Sequence, residues 1–196
     1  MLLDFFSGDA DFFLMMIRLF SRLFVIFCTM PIHEYAHALI ATKLGDQTPR
    51  LSGRLTLNPL AHMDLFGSIG VLLFGIGWAK PVQVNARYYK NPKWGMALVA
   101  LAGPLSNIIL AFVSLLLAHL VDILVTNQIL LDLLILFFVS IAKINVYLAV
   151  FNLIPIPPFD GSRILFAILP QKYYFKIIMT QNEWFSPLFK LTIISL

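Results

Sequence analysis

The chain has 196 residues, 60% of them hydrophobic and only 12% charged, with a mean hydropathy of +0.87. A soluble domain carries roughly a quarter charged residues and just under half apolar ones, so this composition excludes an ordinary soluble globular domain and points to an integral membrane protein. The net charge of +4 comes from Lys and Arg scattered between apolar runs, a pattern of membrane topology signals that excludes a nucleic-acid-binding patch.

Each crossing needs about 20 apolar residues to traverse about 30 Å of hydrocarbon, so the length allows about four to six hydrophobic segments. The start, MLLDFFSGDADFF, carries Asp4, Asp9 and Asp11 and no basic residue, and does not read as a cleaved signal peptide. From Phe12 to Leu44 the sequence is almost continuously apolar, interrupted by Arg18 and Arg22 one helical turn apart. The stretch between Arg22 and Lys43 reads as a first span, with residues 12–22 extending it or lying in the interface. His33, Glu34 and His37 fall near its middle, and Cys28, the single cysteine, leaves no intrachain disulfide.

Residues 46–64, DQTPRLSGRLTLNPLAHMD, form a polar but structured loop in which the alternation of Arg54, Leu55, Thr56 and Leu57 predicts a short strand. Residues 65–78, LFGSIGVLLFGIGW, are apolar but short and hold four glycines, which predicts a re-entrant hairpin packed against protein rather than a full crossing. Two long runs, from Gly95 to Val121 and from Ile129 to Phe151, are predicted spans. The stretch from Trp184 to Leu196 reads as interfacial or as a partial crossing. The stretches 43–54, 80–93 and 163–176 hold ten of the fourteen Lys and Arg, which places them together on the cytoplasmic side. The 65–78 segment must then enter and leave by one face, and Arg18 and Arg22 fall toward the opposite side.

The first span contains His33-Glu34-Tyr35-Ala36-His37. On a helix the two imidazoles lie one turn apart on one face, so both can reach a single ion while Glu34 stands beside it. This is the HExxH arrangement of zinc proteases, in which neutral histidines bind the metal and a carboxylate outside the coordination shell takes the proton of the attacking water. Ionisable groups at mid-span cost on the order of 2.5–3.5 kcal/mol each and persist mainly where they function. A third protein ligand is needed, and Asp160 differs from the other acidic residues. It ends Asn152-Leu-Ile-Pro-Ile-Pro-Pro-Phe-Asp160-Gly161, where three prolines break a helix and leave extended backbone at the membrane edge. Such backbone is tolerated where it lines a polar cavity, so this segment is expected to wall a site.

HEYAH at 33–37, Gly103-Pro104-Leu105-Ser106-Asn107 and NLIPIPPFDG at 152–161 together resemble, in order and spacing, the site-2 protease family of intramembrane zinc metalloproteases over roughly residues 23–170. The resemblance implies that His33, His37 and Asp160 bind one Zn²⁺ per chain, that Glu34 is the general base, and that Asn152 lines the site. GRLTLNPLAHMD and WAKPVQVN resemble a compact branch of that family without PDZ or CBS domains. The resemblance further implies a zinc metalloendopeptidase embedded in the bilayer, acting on membrane-protein substrates in a bacterial cell membrane; the Lys and Arg count puts the opening of its site on the cytoplasmic side. His62, two residues before Asp64, has two readings: a residue that gates the site or contacts substrate, or a loop histidine bonded to Asp64 or a neighbouring carbonyl. Asn107 is expected to hydrogen-bond between helices and Gly103 to permit close helix approach. The expected fold is a single all-α membrane domain over residues 1–196, a polytopic bundle with a re-entrant hairpin and a short β element near the active site. A catalytically idle adaptor and a metal-handling transporter are the competing readings; a transporter would be expected to show repeated halves, and no repeat is present.

Overall fold

A computed structural model describes residues 12–74 and 77–170. Asp4, Asp9, Asp11, Lys172, Lys176 and the stretch from Trp184 to Leu196, which entered the expectations above, lie outside the described residues. Among the described residues three helical stretches are long and apolar enough to cross a membrane: Phe13–Lys43, Pro92–Leu124 and Gln128–Asn152. The protein is therefore an all-α membrane protein.

The first stretch comprises α1 (Phe12–Phe24), a π-helical turn (Val25–Thr29) and α2 (Met30–Lys43). Residues 12–22 thus extend the span, and His33 to His37 lie toward its C-terminal end rather than at its middle. The π turn has a local cause. Pro31 has no N–H and its ring crowds the carbonyl four residues back, so the ladder widens just before it, and the Met30 N–H reaches the Val25 carbonyl instead. Short helices α3 (Thr48–Leu51) and α4 (Pro59–His62) follow, then α5 (Leu65–Phe74). The long α6 (Pro92–Leu124) and α7 (Gln128–Asn152) form an antiparallel hairpin, and α8 (Asp160–Ile168) closes the bundle. Asn91 and Asn127 cap α6 and α7 by accepting from the Trp94 and Leu130 N–H groups. Helix α6 is central, packed against α2, α7 and α8, while α1 lies along α7.

The 65–78 segment is a hairpin. Its two ends are joined by an isolated antiparallel bridge between Met63 and Ala79 and by the Lys80 N–H donating to the His62 carbonyl at 2.8 Å. Gly67 lets α5 lie on the returning chain, because a Cβ there would fall within 2.9 Å of the Trp78 backbone. The Arg22 guanidinium donates to the Leu72 carbonyl at 2.6 Å, in the last turn of α5, where carbonyls lack helical partners and a cation is favoured. That contact explains a charge the orientation argument left on the far side.

The strand expected at Arg54–Leu57 is not formed, and the Met63–Ala79 bridge is the only β pairing among the described residues. The alternation there serves another purpose. Arg54 donates to the Ala61 carbonyl and, at 3.5 Å, to the Lys80 carbonyl, while the Thr56 carbonyl receives the His62 ring. The run is folded onto α4 by these bonds instead of pairing with a neighbouring strand.

Asp46 is fully buried. Its carboxylate accepts from the Thr48 N–H at 2.9 Å and from the Asn85 N–H at 2.6 Å, tying the extended chain at 79–85 to the end of α2. Asp46→Ala leaves both amides without their acceptor, a loss of about 1–3 kcal/mol. The expected result is a thermal midpoint in detergent several degrees lower at unchanged helix content by circular dichroism; an unchanged midpoint would show that the tie contributes nothing.

Candidate metal centre

His33 and His37 sit one turn apart on α2, facing α6, and are 8% and 5% exposed. Their rings meet edge to face with centroids 4.7 Å apart, which brings the two Nε2 atoms to 3.0 Å. Asp160, the first residue of α8, completes a triangle: its Oδ2 lies 3.3 Å from Nε2 of His33 and 3.1 Å from Nε2 of His37. Tetrahedral zinc with bonds of about 2.0–2.1 Å sets its ligand atoms about 3.3 Å apart. The triangle therefore has the dimensions of one face of such a tetrahedron, and this His33, His37 and Asp160 group can hold a metal ion. Burial pushes the Asp160 carboxyl up, but hydrogen bonds from His33 and His37, then their charges, outweigh it and hold the group well below the usual carboxylate range.

Local sequence explains how the three come together. Helix α7 ends at Asn152, and Pro155, Pro157 and Pro158 keep it from resuming until Asp160 opens α8. Gly161 allows α8 to start against the end of α7, since a Cβ there would fall 2.7 Å from the Ile154 carbonyl oxygen and closer still to Leu153. Gly103 of α6 faces both histidines: a Cβ would lie 2.5 Å from Cε1 and Nε2 of His33 and nearer yet to Nε2 of His37. The close approach expected of Gly103 is thus an approach to the histidine rings themselves. Nδ1 of His37 lies 2.7 Å from the Val99 carbonyl. With a metal held at the triangle by Nε2, the ring proton would sit on Nδ1 and be donated to this carbonyl.

Glu34 stands beside this group, half-buried, and its Oε2 accepts from the Val82 N–H at 3.1 Å. Sequence reasoning did not single out Val82. The available signal was Pro81, which disfavours helix in the preceding Lys80 and leaves a chain whose amides can be aimed individually. Val82 and Asn85 direct theirs to Glu34 and Asp46, while Gln83 between them is exposed.

Three sequence candidates make no hydrogen bond to the triangle. His62 is 1% exposed and its Nε2 donates to the Thr56 carbonyl at 2.8 Å, the carbonyl-bonded loop histidine of the two alternatives. Asp64 instead accepts from the Gly67 N–H at 2.9 Å. Asn152 donates to the Leu148 carbonyl of its own helix at 2.9 Å. Asn107 is fully buried, but the expected bond between helices is not made, and neither atom of its amide has a partner.

Residues 21–130 and 116–181 match the sequence profile of peptidase family M50. Over 156 residues the chain is 44% identical to "Putative zinc metalloprotease YwhC" of Bacillus subtilis (strain 168), an alignment covering 77% of this chain and 69% of that protein. Over 149 residues it is 32% identical to "Zinc metalloprotease MJ0392" of Methanocaldococcus jannaschii, covering 76% of this chain and 34% of that one. The chain thus spans only about a third of the archaeal relative's length. No solved structure matches significantly.

Gly103→Ala pushes a methyl group into both imidazoles. The expected outcome is zinc binding about 10–100-fold weaker, the range seen when the support of metal ligands is disturbed, measured by chelator competition on the purified protein. Parent-like affinity would mean that the histidine pair does not depend on this close approach.

Proposed function

The chain belongs to peptidase family M50, and on that premise we propose that it is a membrane-embedded zinc endopeptidase that cuts transmembrane or membrane-proximal segments of other membrane proteins. The observation that carries this reading is the convergence of His33, His37 and Asp160 within 3.3 Å of one another beside a carboxylate held by a backbone amide. In this reading those three residues hold one Zn²⁺. When bound, zinc polarises the scissile carbonyl and makes water a better nucleophile at neutral pH.

The remaining steps fall to the chain's own groups. Glu34 takes the proton of the attacking water and passes it to the leaving amine. The Val82 N–H holds Oε2, which fixes the carboxylate plane and leaves Oε1 to receive the proton. Asp160 stays ionised between the imidazoles, and the Val99 carbonyl keeps His37 in the ligating tautomer. Asn152, at the end of the helix that precedes the proline-rich turn to Asp160, contacts the substrate backbone.

A helical substrate must unwind locally, because its own hydrogen bonds hide the carbonyl from attack. The extended chain at 79–85, with Gln83 exposed, offers an edge on which an unwound segment can pair. Lys93 donates to the Leu169 carbonyl at 3.3 Å, so the basic 80–93 stretch and the end of α8 share one face of the bundle. By the excess of Lys and Arg there, that face is cytoplasmic, and water reaches the site from it in a bacterial cell membrane.

Two experiments test this reading on purified protein with single-span substrates. Glu34→Gln is expected to retain zinc and lose cleavage by about 10²–10⁴-fold, while Asp160→Ala loses zinc and cleavage together, and chelation silences the parent until zinc is restored. Cleavage persisting in Glu34→Gln would remove that residue from the chemistry. Gln83→Pro is expected to block cleavage at unchanged zinc content, and normal turnover in that variant would end the strand-addition step.

A further inference from the structure

The interface that carries the histidines continues one turn deeper as a buried polar layer. His37 meets the Val99 carbonyl and both rings face Gly103, so α2 and α6 run antiparallel with His37 opposite Val99 and His33 opposite Gly103. One turn further along each chain, Thr29 comes level with Asn107. From α7, Asn145 reaches the same level: its Nδ2 lies 3.3 Å from Thr29 Oγ1 and donates to the Ile141 carbonyl at 3.0 Å. Asn107 and Asn145 also stand equally far from the turn at residues 125–127 that joins α6 to α7. Two register arguments through different helix pairs therefore place Thr29, Asn107 and Asn145 in one layer next to His33. All three are fully buried.

Four side-chain atoms of this layer and its neighbour have no hydrogen-bond partner: Nδ1 of His33, Oδ1 and Nδ2 of Asn107, and Oδ1 of Asn145. Buried polar groups are costly when left unpaired, and a buried water commonly satisfies about three of them at once. The two histidines differ in just this respect. His37 has the Val99 carbonyl for its second nitrogen, whereas His33 has none. A metal-ligating histidine almost always donates its other ring N–H, which fixes its tautomer and orientation.

We propose that this layer holds a structural water that ties Nδ1 of His33 to Asn107 and Asn145, making the two asparagines positioning residues for the metal ligand. With Nε2 turned to the ion, His33 carries its proton on Nδ1 and donates it to the water oxygen. The water's two hydrogens go to Oδ1 of Asn107 and Oδ1 of Asn145. The proposal rests on the reading that His33 binds zinc.

The test uses the full chain purified in detergent, with zinc affinity by chelator competition, the visible spectrum of the cobalt-loaded protein, and a thermal melt. Asn107→Leu and Asn145→Leu are expected to weaken zinc binding about 10–100-fold and to shift the cobalt bands while still folding. Asn107→Asp keeps an acceptor for the water and is expected to bind zinc at least as tightly as the parent. Ser114→Ala lies on the same helix and loses only a bond to the Leu110 carbonyl, so it is expected to change neither affinity nor spectrum. Asn107→Ala, which removes the amide without adding bulk, replaces Asn107→Leu if the leucine variant does not fold. Parent-like affinity and spectrum in the leucine variants would overturn the proposal, as would equal losses in Asn107→Asp and Ser114→Ala, the mark of general damage to the bundle. A parent that binds neither metal would overturn the metal-site reading itself.

Discussion

The Asp160 carboxyl and two imidazoles, drawn to within about 3 Å of one another inside an apolar bundle, form the contact on which the rest of this structure depends. Such groups are expensive in a membrane and are kept only where they are paired. To pair them, the chain must bring the start of α8 to the face of α2 with α6 passing between close neighbours. Gly103 leaves room for the rings on α6, Gly161 lets α8 fold back on α7, and three prolines carry the chain between the last two helices without a helical detour. Removing any of these would alter not a local turn but the convergence itself.

A second set of contacts assembles the polar side of the molecule around that convergence. Backbone donors and acceptors in the irregular stretches and helix ends are taken up one by one by side chains: the Asn85 amide by Asp46, the Val82 amide by Glu34, the Ala61 carbonyl by Arg54 and the Thr56 carbonyl by His62. Buried backbone polar groups are nearly always paired, and these side chains serve as fastenings for irregular backbone. Among these fastenings, the one at Glu34 joins the extended chain to the carboxylate proposed to act as base.

Much of this was legible in the sequence because it rested on spacing. HEYAH puts two histidines on one helical face whatever surrounds them, and two uninterrupted apolar runs can hardly be anything but spans. The hairpin was legible from its shortness and glycines, one of which abuts Trp78. The Arg54–Leu57 run misled because alternation records only which side chains face polar and apolar surroundings, and a guanidinium bonded to carbonyls of α4 and Lys80 meets that condition without a strand. Val82 was invisible for a deeper reason: its contribution is a backbone amide, which every residue but proline has. Asn107 could be recognised as a buried polar residue, but the lack of any partner for its amide depends on how three helices meet.

The hairpin at 65–78 is fastened twice, at its root by the Met63–Ala79 bridge and near its far end by Arg22 on Leu72. A flap needs one free end. This one is bolted to the first span near its far end as well as closed at its root, which makes it a fixed wall rather than a door.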